Sequence, residues 1–595
     1  MNLALRSLFS FALLLTATAT LPACGGSGGS STALYGTLSV SLTDGPSDKL
    51  DSFRVKVTSI DIHKSNSTVI HALASPVMVD LADLTETGEL LNSLTASMGA
   101  YTSVTVTLDM STAICLLAGQ STPATIKDDQ GGSFAAPITV PVAIPGFLSL
   151  PGAGHKLIEL DLDLAQSLLI DTTNNEVEFT PAFFVRTVLA QQKPVAIAGT
   201  LVSVDTPNST FVLDLKDDNG AAIDSVTCIG DNATVFQIDG TPSTGMTGIN
   251  ALALLAPGTW VQAQGTIDPA AATVLVSNVN AGTGTWNGGT DIVEGVVIDR
   301  VGGAGADATL TVLGRSSNSA HTVFQYDTSF TVTTALATTH VVRHASATAY
   351  DTDELNVGQQ VRVFGTLTGA NMDASLGVVR EQPTWIYGAA AGAPASGQIT
   401  LSLVSVGLRD QSLFNWTANP ASFLTDVGTL ADALTIGNGT NVLERGFFAP
   451  VSGGATDFTA DRVVDADTAP SLVLVRNRLA TGFSVTLTCT TGQIDISIAG
   501  SAATGEFALL DQGFVGVSNL PSNPTPDIVP AGLGLYTLRD LSAGTIQIYT
   551  YFPSFSAAVG NAVGMGAEVR HVGAVGDWNG VTNTLQSGVV SIVVQ

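Results

Sequence analysis

Charge is scarce in this chain of 595 residues. Asp, Glu, Lys and Arg together make up 12% of it, about half the usual share. Positive charge is scarcer still: 22 Lys and Arg stand against 50 Asp and Glu, a net charge of −28. A nucleic-acid backbone is held by cations that displace its counterions, so that class of partner is excluded. Docking onto anionic lipid through the protein surface is disfavoured for the same reason. An acidic surface keeps a protein soluble, and it also collects divalent cations. Cysteine is nearly absent, with Cys24, Cys115, Cys228 and Cys489 far apart. No CxxC pair or Cys/His cluster suggests zinc, and no dense disulfide framework is present. Cys115 and Cys228 lie in strand-like stretches and are expected as buried, inert thiols. There is no GxSxG elbow, P-loop or dinucleotide fingerprint. Long Ala/Glu/Lys/Leu helical patterns are missing as well. The one marked apolar run, Leu8 to Ala17, is well short of the ~20 residues of a membrane-spanning helix.

What is abundant is Gly (61 residues), with Val, Thr and Ser. This favours strands and turns. The opening MNLALRSLFSFALLLTATATLPAC has a charged start at Arg6, a short apolar middle and a small-residue end, the three parts of a secretory signal. Leu21-Pro22-Ala23-Cys24 resembles the bacterial lipobox, although Pro before the last small residue is less usual there. The resemblance implies a diacylglycerol on the Cys24 sulfur and acylation of the new amino terminus. Two or more chains give a stable anchor, at about 0.8 kcal/mol per buried methylene. Gly25 follows where Asp commonly retains lipoproteins in the inner membrane, so the resemblance points to the outer membrane. GGSGGSSTA then reads as a flexible tether, spanning roughly 15–18 Å on average.

From Leu34 the pattern is alternation. Leu38, Val40 and Leu42 alternate with Thr37, Ser39 and Ser41, the period of a half-buried strand. Phe53, Val55, Val57 and then Ile60, Ile62 alternate with a slip near Ser59 that reads as a bulge. DLADLTETGELLNSLTASMG is expected to hold a short helix. YTSVTVTLDM, KLIELDLDL and EVEFTPAFFVR return to strands. One buried face per strand implies an antiparallel β-sandwich. GTLSVSLTDGPSD, VKVTSIDIHKS, VDLADL, MGAYTSVTVTLD, LDLDLAQSLLI and FTPAFFVR occur in the order of domain of unknown function 4382, which this region resembles. That resemblance implies a place at the amino end of a bacterial lipoprotein and brings no catalytic residues.

The remainder repeats a motif, G-x-x-V-x-x-x-G, at Gly258/Val261/Gly265, Gly358/Val361/Gly365, Gly439/Val442/Gly446 and Gly566/Val569/Gly573. It reads as a turn glycine, a strand with an inward Val, and a glycine where the strand bends. Unit starts recur near Gly199, Gly295 and Gly397, and the fourth, near SLVLVRNRL, lacks the glycine. The pattern resembles domain of unknown function 5666, a small β-barrel repeat of exported proteins. Uneven spacing suggests separate beads with variable loops. The expected organisation is all-β: signal peptide 1–23, tether 24–33, sandwich 34–190, then about four small β-barrel repeats at 192–284, 290–386, 394–468 and, divergent, 470–595.

Candidate sites are few. Asp44, Asp48 and Asp51 in LTDGPSDKLDS surround a Gly-Pro turn and form the candidate calcium site, since a hard cation takes oxygen ligands. The competing reading is an Asp-led turn whose side chains cap backbone N–H groups. Trp286 and Trp578 each lie in a WNG triplet, where a Trp stacks on a sugar ring or shields a barrel end. His340 and His344 are four apart, but on a strand that places them about 13 Å apart, too far to share a metal. KDDQGG and KDDNG, at Asp128-Asp129 and Asp217-Asp218, read as hairpin tips. The expected function is a non-catalytic, lipid-anchored outer-membrane protein acting in binding, adhesion or spacing. Its expected partners are the membrane through Cys24 and an extracellular polysaccharide or protein. A surface hydrolase or enzyme accessory subunit, or a periplasm-facing scaffold, is the alternative.

Overall fold

A computed structural model describes residues 35–45, 49–84, 87–187, 193–216, 222–268, 271, 273–285, 290–317, 323–431, 434–477, 484–499, 508–511, 517–520 and 526–595. The chain is all-β with a few short helices.

Residues 35–186 make a sandwich. One sheet runs Phe183–Arg186, His155–Asp163, Tyr35–Gly45, Gly88–Ser97. The facing sheet runs Val69–His71, Leu50–Lys64, Gly99–Leu117, Ile138–Leu150. Leu38, Val40, Phe53, Val55, Val104, Val140 and Leu160 fill the space between them, each essentially inaccessible to solvent. The slip read at Ser59 is a register shift between Val57 and Ser59. Two expectations are corrected. The sandwich is not wholly antiparallel, because Tyr35–Gly45 pairs with His155–Asp163 in parallel from Thr37↔His155 to Gly45↔Asp163. The intervening chain builds the opposite sheet and so supplies the crossover that parallel pairing needs. The expected helix is a single 3-10 turn, Leu81–Leu84, and Gly88–Ser97 is a strand. Leu91 enters the sandwich core while Leu90 enters the core of the following unit. Two adjacent buried leucines look helical in sequence, but here they face two different cores.

Three five-stranded rings follow. In the first, Val195–Asp205 pairs with Thr210–Lys216, which pairs with Ala222–Ile229. The third strand pairs in parallel with Thr273–Ala281, and Trp260–Asp268 closes the circle onto the first strand. Residues 291–382 and 384–465 close in the same way. The order 1-2-3-5-4-1, with strands three and five parallel, is the connectivity of the OB-fold barrel. Residues 471–594 carry the corresponding pairings in an open sheet, with Asp527–Asp540 parallel to Thr584–Val594. Among the described residues no pairing closes that sheet.

The repeated glycines explain how each ring bends. Gly258, Gly358, Gly439 and Gly566 all have φ between +86° and +96°, where a side chain is strained. The following Val is buried in all four copies. A Cβ on Gly265, Gly365 or Gly446 would lie 2.2, 2.3 or 2.0 Å from a carbonyl oxygen of the next strand, and a register shift sits at each position. The fourth copy departs from this. The close approach there is at Gly576, 2.1 Å from the Gln586 oxygen, and not at Gly573. Gly397 is likewise displaced from its expected role. It opens the second strand of the third ring, and the glycine equivalent to Gly199 and Gly295 is Gly388. Gly446→Ala is expected to destabilise by about 2 kcal/mol, because the backbone it meets cannot rotate away. Gly303→Ala, with nothing within 4 Å, should be near neutral in the same urea titration.

The units are not separate beads. The sandwich edge Gly88–Ser97 is hydrogen-bonded to the first ring at Val195↔Gly88. Arg315 of the second ring reaches Asp80 and Asp83. Arg409 of the third reaches Asp51, and Asp511 and Arg476 of the last unit reach Lys49 and the Ser167 carbonyl. All four units therefore rest on the sandwich.

Candidate functional site

Of the sequence-predicted acidic turn, Asp44 and Asp51 do not converge. Asp44 lies fully buried at the end of its strand, and its Oδ1 accepts from Leu164 N at 2.8 Å, the first N–H of the short helix Leu164–Ser167, whose N-cap is Asp163. Burial pushes its carboxyl well above the usual range. The Lys193 ammonium donates to the Asp44 carbonyl, and Arg186 holds Glu159 and Asp161 at 3.3 and 2.6 Å. Cationic side chains thus already stand beside these acids. Asp51 turns away to Arg409 Nη2 at 2.6 Å. Asp48 lies outside the described residues, as do Cys24, Trp286, Asp217 and Asp218. Among the described residues, no three His, Cys, Asp or Glu side chains form a group that could hold a metal ion. Trp578 is half-buried and packs against the core of the last unit, opposite Leu585 in the hairpin. Asp128 forms a turn, its Oδ1 accepting from Gln130 N and Gly132 N, but this is not the expected hairpin tip, because the strand before it, Thr125–Lys127, pairs with Glu176–Phe179 and the strand after it, Ile138–Leu150, pairs with Gly99–Leu117. Cys115 and Cys228 are free and buried, and burial pushes both thiols far up.

Residues distant in sequence meet instead at two junctions. The first joins the sandwich to the second and third rings. Arg315 Nη1 contacts Asp80 at 3.0 Å, and its Nη2 contacts Asp83 at 2.8 Å and Glu294 at 3.4 Å. Arg362 contacts Glu294 at 2.7 Å, and Arg409 contacts Asp51 and Asp327. A cavity of about 110 Å³ lies among them. Burial opposes ionisation of Glu294, but Arg362 and Arg315 outweigh it and hold its carboxyl down at about 2. The arrangement is an ionic tie, with each carboxylate answered by a guanidinium.

The second junction is between the second and third rings and holds a larger cavity of about 190 Å³. Strand ends place it. Phe423, Phe448 and Phe458 stand at one end of the third ring, where the chain leaves as the segments 407–422 and 449–457. Trp416 folds back over that end, 5.0 Å from Phe414 and 6.0 Å from both Phe423 and Phe448. Its Nε1 donates to the Gln411 carbonyl at 2.8 Å. The second ring supplies the opposite wall through Asn356 and Val357. Direct bonds fix the two rings together: Asn415 N to Ile298 O at 2.8 Å, Val451 N to Asp353 O at 2.8 Å, and Asn356 Nδ2 to Ala449 O at 2.8 Å.

Residues 35–181 match the family model of DUF4382, a domain of unknown function. The match covers the sandwich, about a quarter of the chain, and lies wholly before the first ring. No curated protein and no solved structure matches the chain. The DUF4382 domain is thus the platform on which the rings are mounted, and both cavities involve chain beyond it.

Trp416 went unmarked in the sequence because it belongs to no repeat. Its signal is local: FNWTANPASF sets three aromatics around a Pro- and Asn-rich loop. Arg315 and Arg409 had a signal in their rarity, since few cations serve so long a chain. Their partners, 235 and 358 positions away, had none.

Proposed function

We propose that this protein is a non-catalytic, lipid-anchored binding protein of the bacterial outer membrane, held through Cys24. The lipobox-like Leu21–Cys24 and the Gly/Ser stretch after it support the anchor. The rings, which resemble domain of unknown function 5666, would present ligand-binding surface on the DUF4382 platform. Binding is favoured over spacing by one observation: every unit packs back onto the sandwich, so the chain gains breadth and not reach. The buried acids of the sandwich and of the ionic tie are engaged with backbone N–H groups and guanidinium groups of the protein itself, as Asp44 is with Leu164 N, Asp161 with Arg186 and Glu294 with Arg362, which favours a non-catalytic role. Extracellular polysaccharide or protein is the partner class.

Labelling of growing cells with radioactive palmitate is expected to mark the wild-type protein. Cys24→Ala should abolish the label while leaving the chain folded. A label that survives this substitution overturns the anchor. Protease shaving of intact cells is expected to cleave the protein, and full protection would place it facing the periplasm.

A further inference from the structure

We propose that the cavity between the second and third rings binds one neutral pyranose residue of an extracellular glycan. This rests on the binding reading above and names its ligand. The accessible apolar surface of the floor is Trp416, half-buried and backed by the inaccessible rings of Phe423 and Phe448. Such a surface suits the C–H face of a sugar ring. The rim is polar and uncommitted. Thr417 and Thr456 line the cavity, and among the described residues neither hydroxyl has a hydrogen-bond partner. Asp457 uses Oδ2 to accept from Leu424 N at 2.9 Å, which leaves Oδ1 free. Two hydroxyls and one carboxylate oxygen match a ligand that both donates and accepts through hydroxyl groups.

Size and charge narrow the class. The volume of about 190 Å³ corresponds to roughly six waters at ~30 Å³ each, the scale of a single sugar ring. The lining includes one acidic residue, Asp457, and no Lys or Arg. With a chain charge of −28, this disfavours uronates, sulfated sugars and phosphates. The walls are pre-positioned by the hydrogen bonds between the rings, so little ordering is left to oppose binding.

The test uses the full chain, with titration calorimetry against neutral hexose oligosaccharides and a uronic-acid oligosaccharide of equal length. Neutral glycans are expected to bind, and the uronate at least tenfold more weakly. Thr456→Val and Asp457→Asn are expected to weaken neutral binding tenfold or more, with unchanged thermal unfolding. Both are near-isosteric, so each keeps the fold when Trp416→Ala does not. Absence of neutral binding, preference for the uronate, or binding indifferent to Thr456→Val and Asp457→Asn overturns the proposal. Palmitate labelling at Cys24 and surface shaving report on the anchor separately, so failure here leaves that reading standing or falling on its own result.

Discussion

Arg315→Ala is expected to lower the unfolding free energy by about 3 kcal/mol at neutral pH. Its guanidinium is 17% exposed and answers carboxylates from two units: Asp80 and Asp83 of the sandwich and Glu294 of the second ring. Truncation leaves the Asp80 and Glu294 carboxylates without this guanidinium in a largely dry junction, with Arg362 alone on Glu294. Asp83 is half exposed, so water screens it and its share of the loss is small. Arg315→Lys keeps the charge but loses the fork that spans two units, and should fall between the two. The pH dependence has a definite sign. The folded pKa of Glu294 is depressed to about 2 from an ordinary 4.5. Its stabilisation is therefore complete above about pH 4.5 and is lost as pH falls toward 2. Urea titrations should show wild type and Arg315→Ala well separated at pH 7 and converging at pH 2–3. A constant gap would mean that packing of the Arg315 stem, and not its charge, ties the units together.

The tie illustrates which parts of the structure were legible in the sequence. Strands were, because alternation such as Leu38/Val40/Leu42 follows from one buried face. The ring glycines were, because a positive φ at Gly258, Gly358 and Gly439 and a close carbonyl at Gly265, Gly365 and Gly446 leave no room for a side chain. Ring closure was not, because it depends on parallel pairing of strands separated by a helix or loops, as Cys228↔Val274 shows. Packing of the rings on the sandwich was equally invisible. It depends on individual cations finding carboxylates hundreds of positions away. Composition fixes how many guanidinium groups exist but carries no trace of which acids they meet.

The candidate site was less legible than the fold for a related reason. Asp44, Asp48 and Asp51 are close in sequence, but the turn sends its two ends into different environments. Asp44 lies at the end of a buried strand and accepts the first N–H of a helix, whereas Asp51 lies at the start of the next strand at the junction with Arg409. Local spacing predicts convergence only when the backbone holds all three side chains to one side. The Trp416 cavity shows the converse, since its floor comes from one loop and the ends of two strands and its far wall from another ring.

Glu444→Gln is expected to remove a pH dependence that the wild type carries. The motif places an inward Val, and two positions on come Ala263 and Val363 in the first two rings, but Glu444 in the third. That side chain is inside the barrel and inaccessible. Thr425 Oγ1 donates to its Oε1 at 3.1 Å, and Oε2 has no partner. Burial pushes the carboxyl up to about 8, and the Thr425 bond offsets only part of this. With the folded pKa above the unfolded 4.5, the contribution is fully present below about pH 4.5 and lost as pH rises through 8. Across pH 5–8 the wild type should lose about 3 kcal/mol relative to Glu444→Gln, from a slope of ~1.4 kcal/mol per unit reduced by partial relaxation. Gln keeps an oxygen to accept from Thr425 and cannot ionise, so its own curve should be flat from this source. Urea midpoints at pH 5, 6.5 and 8 measure the difference. Parallel curves would show that the third ring admits water to Glu444, and a barrel open at its core would then be the better description of that unit.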